Sequence, residues 1–351
     1  MQNAVFAFII AFLVSYLLTP LIKNLSHRTG AVDNPGERRV HIRPIPSLGG
    51  IAIYLGVLLA IFTTVTNLSS NQTLQGFLVG GTFIVILGIV DDLTELKARY
   101  KLIGQILAAA ILVAFGVKIE FVTNPFGGMF YLGFWGIPLT IFWVVGVINA
   151  VNLIDGLDGL AAGVSTIASF TLLFVAIQEG HFLIVLLTAA LAGGALGFLR
   201  YNFNPAKIFM GDTGSMFLGF MLATVSTAGA LKSATVATLL VPIIALGVPI
   251  FDTIFAIIRR SFNGKSVAEA DQGHLHHRLL QMGLSHKQAV IVVYLVSILL
   301  GITAIAINAA TMPEALILVF ATITGLVLGA RKLRIFDIEL PASEKETGLS
   351  G

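Results

Sequence analysis

The stretch AVFAFIIAFLVSYLLTPLIKNLSHR, residues 4–28, shows the pattern on which the fold of this chain depends. Residues 4–22 carry no charge, and Lys23 and Arg28 follow directly. An uncharged run of this length can cross the roughly 30 Å hydrocarbon layer of a membrane as a helix. Because no basic residue precedes the run, its charge order is the reverse of that in a signal peptide. We therefore expect a retained first helix whose amino end lies outside.

The composition extends this expectation to the whole chain. Hydrophobic residues make up 56% of the 351 residues and charged residues 11%, whereas soluble domains have roughly 45–50% and 25%. The chain is therefore predicted to be an all-α polytopic membrane protein, with one integral membrane domain over residues 1–351 and a partly disordered tail at 331–351. Cysteine is absent, so catalysis must use carboxylates, His, Lys, Arg or a hard metal ion.

The basic residues orient the predicted helices in the membrane. Eleven transmembrane helices are predicted near residues 4–22, 48–66, 77–90, 102–117, 137–149, 159–178, 182–199, 214–231, 236–258, 288–308 and 313–330. With the N-terminus outside and the C-terminus cytoplasmic, 19 of the 21 Lys and Arg residues fall in inner segments, and only Lys118 and Lys232 fall outside. This asymmetry follows the positive-inside rule. The outer segment 118–136 is predicted to form a small hairpin.

Acidic residues gather at the inner helix ends. They are Asp91, Asp92, Asp155, Asp158 and Asp212. A carboxylate inside the membrane costs about 2.5–3.5 kcal/mol on insertion scales, so acids this close to the lipid boundary indicate function. The active site is therefore predicted on the cytoplasmic face.

Asp91 and Asp92 end the third predicted helix in DDLTELKARYK, residues 91–101. Two adjacent carboxylates repel each other, which raises the pKa of one of them unless a cation lies between them. They are candidates for a base, for a group close to a metal ion, or for both. The structural alternative is a solvated helix end paired with loop cations such as Lys101.

The segment NAVNLIDGLDGL, residues 149–160, places Asn149, Asn152, Asp155 and Asp158 at intervals of three. On an unbroken helix the first and last of these would lie on opposite faces, since each step turns 300°. Gly156 therefore favours a helix break that exposes polar groups to a shared ligand. An ordinary loop between helices is the alternative.

Two further inner segments carry candidate ligands. Asn202 and Asp212 frame the start of the eighth predicted helix, where Asp212 lies in FMGDTGS, residues 209–215. Asp212 could be an N-cap, could hold Mg²⁺ through its carboxylate, or both, and the helix N-terminus could also hold phosphate. In DQGHLHHRLLQMG, residues 271–283, the candidates are His274, His276, His277 and Arg278. With no Cys and no second His pair nearby, anion recognition fits this segment better than a zinc site, and a solvated loop is the alternative.

The first inner loop and the ninth helix carry three further polar residues. His41 and Arg43 lie in the basic loop, where such residues also serve topology or contact anionic lipid. Asp252 lies within the ninth predicted helix, where we expect an interhelical partner rather than a catalytic role.

Five motifs in this order resemble those of the polyprenyl-phosphate N-acetylhexosamine-1-phosphate transferases. They are HIRPIPSLGG, DDLTELKARYK, NAVNLIDGLDGL, FMGDTGS and HLHHRL. The first and last are similar to the bacterial GlcNAc-1-phosphate transferases of the TagO and WecA type, and they depart from the branch that acts on UDP-MurNAc-pentapeptide. The resemblance implies transfer of GlcNAc-1-phosphate from UDP-GlcNAc to undecaprenyl phosphate with release of UMP. This would be the initiating membrane step of a cell-envelope glycan in the bacterial cytoplasmic membrane.

The resemblance also implies roles for single residues. Asn152 and Asp212 would hold Mg²⁺, for which Mn²⁺ is a substitute, while Asp91 would be the catalytic carboxylate and Asp92 would support it. The remaining candidates would contact the nucleotide sugar or its diphosphate: His41, Arg43, Lys101, Asn149, Asp155, Asp158, Asn202, His274, His276, His277 and Arg278. The expected partners are UDP-GlcNAc, undecaprenyl phosphate and membrane lipid, without nucleic acid, and a homodimer stays open. Another UDP-N-acetylhexosamine or UDP-MurNAc-pentapeptide remains an alternative donor, and a transporter or flippase of an anionic substrate is the alternative from another class.

Overall fold

The computed structural model describes residues 1–33, 44–65, 71–123, 129–230, 240–262 and 273–333. Helices dominate these residues. They are α1 (Gln2–Thr29), α2 (Gly50–Thr64), α3 (Gln72–Thr94), α4 (Ala98–Ala114), α5 (Gly136–Leu153), α6 (Leu160–Gln178), α7 (Phe182–Asn202), α8 (Gly211–Ala230), α9 (Leu240–Ala245), α10 (Gly247–Phe262), α11 (Leu275–Gln281), α12 (His286–Ala309) and α13 (Met312–Lys332).

Two short antiparallel strand pairs complete the described secondary structure. Strand β1 (Val32–Asp33) pairs with β2 (Ile45–Pro46), and β3 (Phe121–Thr123) pairs with β4 (Met129–Tyr131). The second pair confirms the hairpin predicted within 118–136. A 3₁₀ turn at Gly133–Trp135 leads from it into α5.

The helices confirm an all-α polytopic membrane protein. Among the described residues, seven helical segments are long and apolar enough to cross a membrane: Gln2–Thr29, Gln72–Thr94, Gly133–Leu153, Leu160–Gln178, Phe182–Asn202, His286–Ala309 and Met312–Lys332. The prediction of one continuous helix over 236–258 was wrong, because the described part divides into α9 and α10. Pro249 explains the division, since it has no N–H to donate to the carbonyl of Ala245 and its ring crowds that carbonyl.

The core forms where backbones approach closely along small residues. The face of α1 that packs against α2 and α7 carries the buried residues Ala4, Ala7, Ala11, Ser15 and Thr19. On α7, Gly193 and Gly197 lie against the carbonyls of Phe8 and Phe12. Such contacts are typical of helix association in lipid, where van der Waals packing replaces the hydrophobic effect. By contrast, α13 leaves large apolar side chains such as Ile317 and Phe320 exposed, as a lipid-facing helix does.

One end of the bundle brings distant segments of the chain together. The Phe209 N–H donates to the Pro46 carbonyl at 2.7 Å, and the Gly50 N–H donates to the Met210 carbonyl at 2.8 Å. Gly211 follows with φ of 69°, a left-handed conformation that a side chain would strain. These bonds fix the segment before α8 beside β2 and the amino end of α2.

Candidate active site

A polar cavity of about 570 Å³ opens at this end of the bundle. Its walls come from the first inner loop, the α3–α4 junction, the α5–α6 loop, the amino end of α8, and the starts of α11 and α12. They include the predicted residues Asp91, Asp92, Lys101, Asn152, Asp155, Asp158, Asp212 and His277. Eight of the residues proposed from the sequence therefore line one cavity, although they come from four separate motifs.

Lys101 joins two carboxylates in this cavity. Its Nζ lies 2.5 Å from Asp91 Oδ2 and 2.5 Å from Asp212 Oδ2. Asp91 is buried at the end of α3, and its other oxygen accepts the Leu96 N–H at 2.8 Å. Adjacent charges of the same sign are costly in such a site, and the ammonium group offsets that repulsion. The cation therefore lies between Asp91 and Asp212 rather than between the two neighbouring aspartates.

Asn152 holds the second oxygen of Asp212. Its amide Nδ2 donates to Asp212 Oδ1 at 2.7 Å and to Ser215 Oγ at 2.8 Å. The carboxyl end of α5 and the first turn of α8 are thus linked through side chains. Asp212 consequently meets one amide and one ammonium group.

Asp92 has a different environment from Asp91. Its carboxylate accepts the backbone N–H groups of Asp212 at 2.8 Å and of Thr213 at 3.1 Å, together with the Thr213 hydroxyl at 2.6 Å. Asp92 therefore caps the N-terminus of α8 from a neighbouring helix. The sequence had offered Asp212 as that cap and the helix N-terminus as a phosphate site. Instead, Asp92 occupies two of the first amide groups of α8.

Asp155 and Asp158 lie in the loop between α5 and α6. The Asp155 carboxylate faces the cavity, and among the described residues it has no hydrogen bond or ion pair. Burial, and then the nearby Asp212, raises the pKa of Asp155 to about 8. Asp158 Oδ2 instead accepts the Asn204 amide and the Ala206 N–H, both at 2.9 Å, so it holds the loop that precedes α8.

The two remaining asparagines do not line the cavity. Asn149 exchanges hydrogen bonds with Gln105, of which the shorter, from Asn149 Nδ2 to Gln105 Oε1, is 2.6 Å. Asn202 is buried, accepts the Gly159 N–H at 3.1 Å and donates to the Ile208 carbonyl at 3.1 Å. Both amides bond with protein groups, which favours a structural role over the predicted contact with substrate.

The histidine motif forms α11 and the residue before it. His277 lines the cavity, whereas the ring of His276 is buried against Gly156 and stacks on His274 with centroids 5.9 Å apart. Burial lowers the pKa of His276 to about 3, so this ring is neutral. Arg278 lies outside the cavity lining and donates weakly to Gln281 Oε1 at 3.5 Å.

Asp252 has the interhelical partner that the sequence predicted. Its Oδ2 lies 2.8 Å from His274 Nδ1, and its Oδ1 accepts the Leu275 N–H at 2.8 Å. The predicted contacts of His41 and Arg43 lie outside the described residues.

Sequence reasoning missed His286, which lines the cavity, and Gln105, which bonds with Asn149 outside it. His286 lines the cavity, and its Nε2 accepts the Asp158 N–H at 2.8 Å. A capping box from Ser285 to Gln288 starts α12 there, and that signal could have placed His286 at the first helical position. Gln105 gave no comparable signal, because a single amide in an apolar helix does not reveal its partner.

Comparison with known proteins identifies the family of this chain. Residues 74–230 match the model of glycosyl transferase family 4. The chain is 43% identical over 337 residues to the probable undecaprenyl-phosphate N-acetylglucosaminyl 1-phosphate transferase of Bacillus subtilis (strain 168), covering 93% of this chain and 94% of that protein. The chain belongs to glycosyl transferase family 4.

Further relatives have names that specify a different lipid or a different sugar. The decaprenyl-phosphate N-acetylglucosaminephosphotransferase of Mycobacterium leprae (strain TN) is 38% identical over 81% of this chain and 79% of its own length. The phospho-N-acetylmuramoyl-pentapeptide-transferase of Thermoanaerobacter sp. (strain X514) is 31% identical over 85% of this chain and 96% of its own length. The family resemblance inferred from the five motifs is thus confirmed.

Proposed function

We propose that this protein transfers GlcNAc-1-phosphate from UDP-GlcNAc to undecaprenyl phosphate and releases UMP. The observation that carries the proposal is the meeting of the Asp91 and Asp212 carboxylates at Lys101 in a polar cavity of a membrane protein. The names of the Bacillus subtilis and Mycobacterium leprae relatives support the sugar and the polyprenyl phosphate.

The reaction exchanges one phosphoanhydride bond for another. A phosphate oxygen of the lipid attacks the sugar-bearing phosphorus of UDP-GlcNAc, and the bond to the UMP phosphate breaks. Both substrates are anions, so the protein must chiefly bring like charges together. Lys101 and His277 line the cavity and can meet phosphate oxygens, while Asp155 and Asp158 can accept hydrogen bonds from sugar or nucleoside groups.

The residues around Lys101 fit a bound Mg²⁺ ion. Asp91 and Asp212 converge on one cationic group, which shows that the position favours positive charge. No cluster of three or more His, Cys, Asp or Glu side chains suited to a metal occurs in the part of the chain that the structure describes. Mg²⁺ does not require one, because it commonly uses one or two carboxylates and fills its other positions with water and substrate phosphate. Asp212 and the Asn152 amide oxygen would hold it once the Asn152 amide turns from the orientation in which Nδ2 faces Asp212, and Mn²⁺ could replace it. When bound, the ion would neutralise charge that develops on the phosphates.

Asp91 is the favoured catalytic carboxylate in a direct displacement. The second pKa of a phosphate monoester is near 6, so the acceptor is already largely ionised at neutral pH. Asp91 is then best suited to orienting the acceptor through Lys101. A covalent intermediate on Asp91 would instead allow UMP to exchange into UDP-GlcNAc without lipid acceptor, and robust exchange in lipid-free protein would exclude direct displacement.

The proposed setting is the bacterial cytoplasmic membrane, with the cavity on the cytoplasmic face. The distribution of 19 of the 21 Lys and Arg residues supports this orientation. Eleven crossings, with α9 and α10 forming the ninth, would place the N-terminus outside.

The proposed reaction can be tested directly in detergent. Purified protein would receive undecaprenyl phosphate, UDP-GlcNAc and Mg²⁺, and both UMP and lipid product would be measured. We expect Mg²⁺-dependent product that Asp91→Asn and Asp212→Asn abolish, while Thr94→Val, at an exposed hydroxyl on the same end of α3, keeps full activity. Turnover only with UDP-MurNAc-pentapeptide or another UDP-sugar would refute the proposed donor. Transport in proteoliposomes without any covalent product would refute the reaction itself.

A further inference from the structure

Asp252 is a buried carboxylate that lies outside the cavity and has no part in the reaction described above. It belongs to α10, and only 5% of its surface is exposed. Burial of a charge is costly unless hydrogen bonds compensate for it. Both oxygens of Asp252 have such partners, and both partners belong to the segment that carries the histidine motif.

The two bonds fix the start of α11 in different ways. His274 is the N-cap residue of α11, but its side chain makes no capping hydrogen bond. Asp252 Oδ1 supplies the missing acceptor by binding the Leu275 N–H at 2.8 Å. Asp252 Oδ2 lies 2.8 Å from His274 Nδ1, and a carboxylate there requires that Nδ1 carry a proton.

A chain of ring contacts leads from His274 to the cavity. The ring of His274 stacks on that of His276 at 5.9 Å with an angle of 8° between their planes. The His276 ring lies 4.3 Å from that of His277, measured between centroids, and it also packs on Gly156 in the α5–α6 loop. His277 lines the cavity. His274 is therefore connected through His276 to a ring that lines the cavity.

We propose that Asp252 is a positioning residue for the transfer site: its carboxylate fixes the tautomer of His274 and the start of α11, and so sets where His277 enters the cavity. This inference rests on the proposed transfer reaction. Carboxylates that orient histidines in metal sites change affinity or activity by roughly 10- to 100-fold when they are replaced. We expect a loss of kcat/KM in that range for Asp252→Asn.

A double-mutant cycle distinguishes positioning from a general effect on stability. Asp252→Asn, His274→Ala and the double variant would be compared by kcat/KM and by Tm in detergent. If Asp252 acts through His274, the double variant should be no slower than His274→Ala alone, because the two changes break the same link. Losses that multiply would overturn the proposal, as would an Asp252→Asn variant with the kcat/KM of the unaltered protein. Thr253→Val is the matched control, since it removes a neighbouring α10 hydroxyl that donates to the Pro249 carbonyl within the same helix, and we expect unchanged kinetics.

The protonated nitrogen of His274 can be observed without any turnover. The chain contains seven histidines, so ¹⁵N-histidine NMR spectra should be assignable by comparison with His274→Ala. We expect a proton on Nδ1 of His274 in the unaltered protein and a shift toward the other tautomer in Asp252→Asn, whose amide can donate to Nδ1. An unchanged tautomer in Asp252→Asn would overturn the proposal. Because this spectrum needs no substrate, failure of the proposed reaction would be recognised separately, by the absence of product in the unaltered protein.

If the Asp252→Asn variant does not purify, Asp252→Glu provides a second test of the proposal. It retains the charge and both acceptor oxygens but moves them by one methylene group. A loss of kcat/KM that again fails to multiply with His274→Ala would support positioning, and a multiplicative loss would overturn it.

Discussion

Replacement of Asp92 by Asn should destabilise the protein because it weakens the cap at the amino end of α8. Asp92 accepts three hydrogen bonds there, two from backbone N–H groups and one from the Thr213 hydroxyl. An Asn side chain has only one acceptor oxygen. If that oxygen accepts the Asp212 N–H, the NH₂ group of Asn faces the Thr213 N–H, and two donors cannot form a hydrogen bond with each other. A hydrogen bond to a charged group contributes about 1.5–3 kcal/mol and an N-cap about 0.5–2 kcal/mol. We therefore expect a loss of about 2 kcal/mol.

The loss of folding stability expected for other substitutions at this cap follows from the same hydrogen bonds. Asp92→Ala removes all three acceptor contacts and should cost about 3 kcal/mol, while Thr213→Val removes only the hydroxyl bond of 2.6 Å and should cost about 1 kcal/mol. Activity should fall as well, because Asp212 lies in the first turn of α8 and a shift of about 1 Å near reacting groups can cost roughly 100-fold in rate.

The assay pairs thermal unfolding in detergent with turnover of the same samples. For a chain of 351 residues, a loss of about 2 kcal/mol corresponds to a decrease of roughly 3 °C in Tm. Thr94→Val, at the same end of α3, should alter neither quantity. If Asp92→Asn kept its Tm and still lost activity by more than about 1,000-fold, the capping role would be refuted and Asp92 would act in the chemistry itself.

Three further predictions concern the cavity and its surroundings. Lys101→Met leaves the Asp91 and Asp212 carboxylates without their shared cation. Removal of one partner from a fully buried ion pair lowers folding stability by about 3–5 kcal/mol. Because the Lys101 side chain is 29% exposed, we expect a smaller loss of about 2 kcal/mol in this variant. Mg²⁺ should then raise Tm more in this variant than in the unaltered protein, and an equal rise would contradict the proposed ion site. Asn202→Ala leaves a buried N–H and a buried carbonyl unpaired and should lower stability by roughly 2–4 kcal/mol in denaturant unfolding, whereas an unchanged midpoint would count against its structural role. His276 has a folded pKa of about 3, below its unfolded value, so the unfolded chain binds the extra proton as the pH falls from about 6.5 toward 3 and stability declines over that window. His276→Asn should therefore lose less Tm than the unaltered protein between about pH 7 and pH 5, and parallel curves would contradict the depressed pKa.

The membrane class could be predicted from composition, and the position of the site could be predicted from the direction of the helices. Alternating helix direction brings the carboxyl ends of α3 and α5 to the same side as the amino end of α8. Asp91, Asn152 and Asp212 therefore had to lie at one end of the bundle. Topology alone was sufficient for that inference.

The partner of each polar group could not be predicted in the same way. Asn149 and Asn152 differ by three positions on α5, yet Asn149 bonds with Gln105 of α4 and Asn152 bonds with Asp212 of α8. The capping bond from Asp92 joins residues that are 121 positions apart at Thr213. Such pairings depend on distances between helices, which the spacing of apolar residues in the sequence does not reveal. The break before α10 is different, since Pro249 was a local signal that the sequence already displayed.

The close approach of α3 to the start of α8 has a consequence for saturation mutagenesis. A Cβ atom added at Gly88 would lie 2.7 Å from the Thr213 nitrogen, and one added at Gly211 would lie 2.7 Å from an oxygen of Asp92. Neither glycine has a side chain that could take part in the reaction. In a survival screen, both positions should nevertheless reject every other amino acid as strictly as Asp91 does. Intolerance to substitution would therefore identify positions that hold the site in place as well as positions that take part in the reaction. The two kinds of position can be distinguished by testing whether the rejected variants still fold.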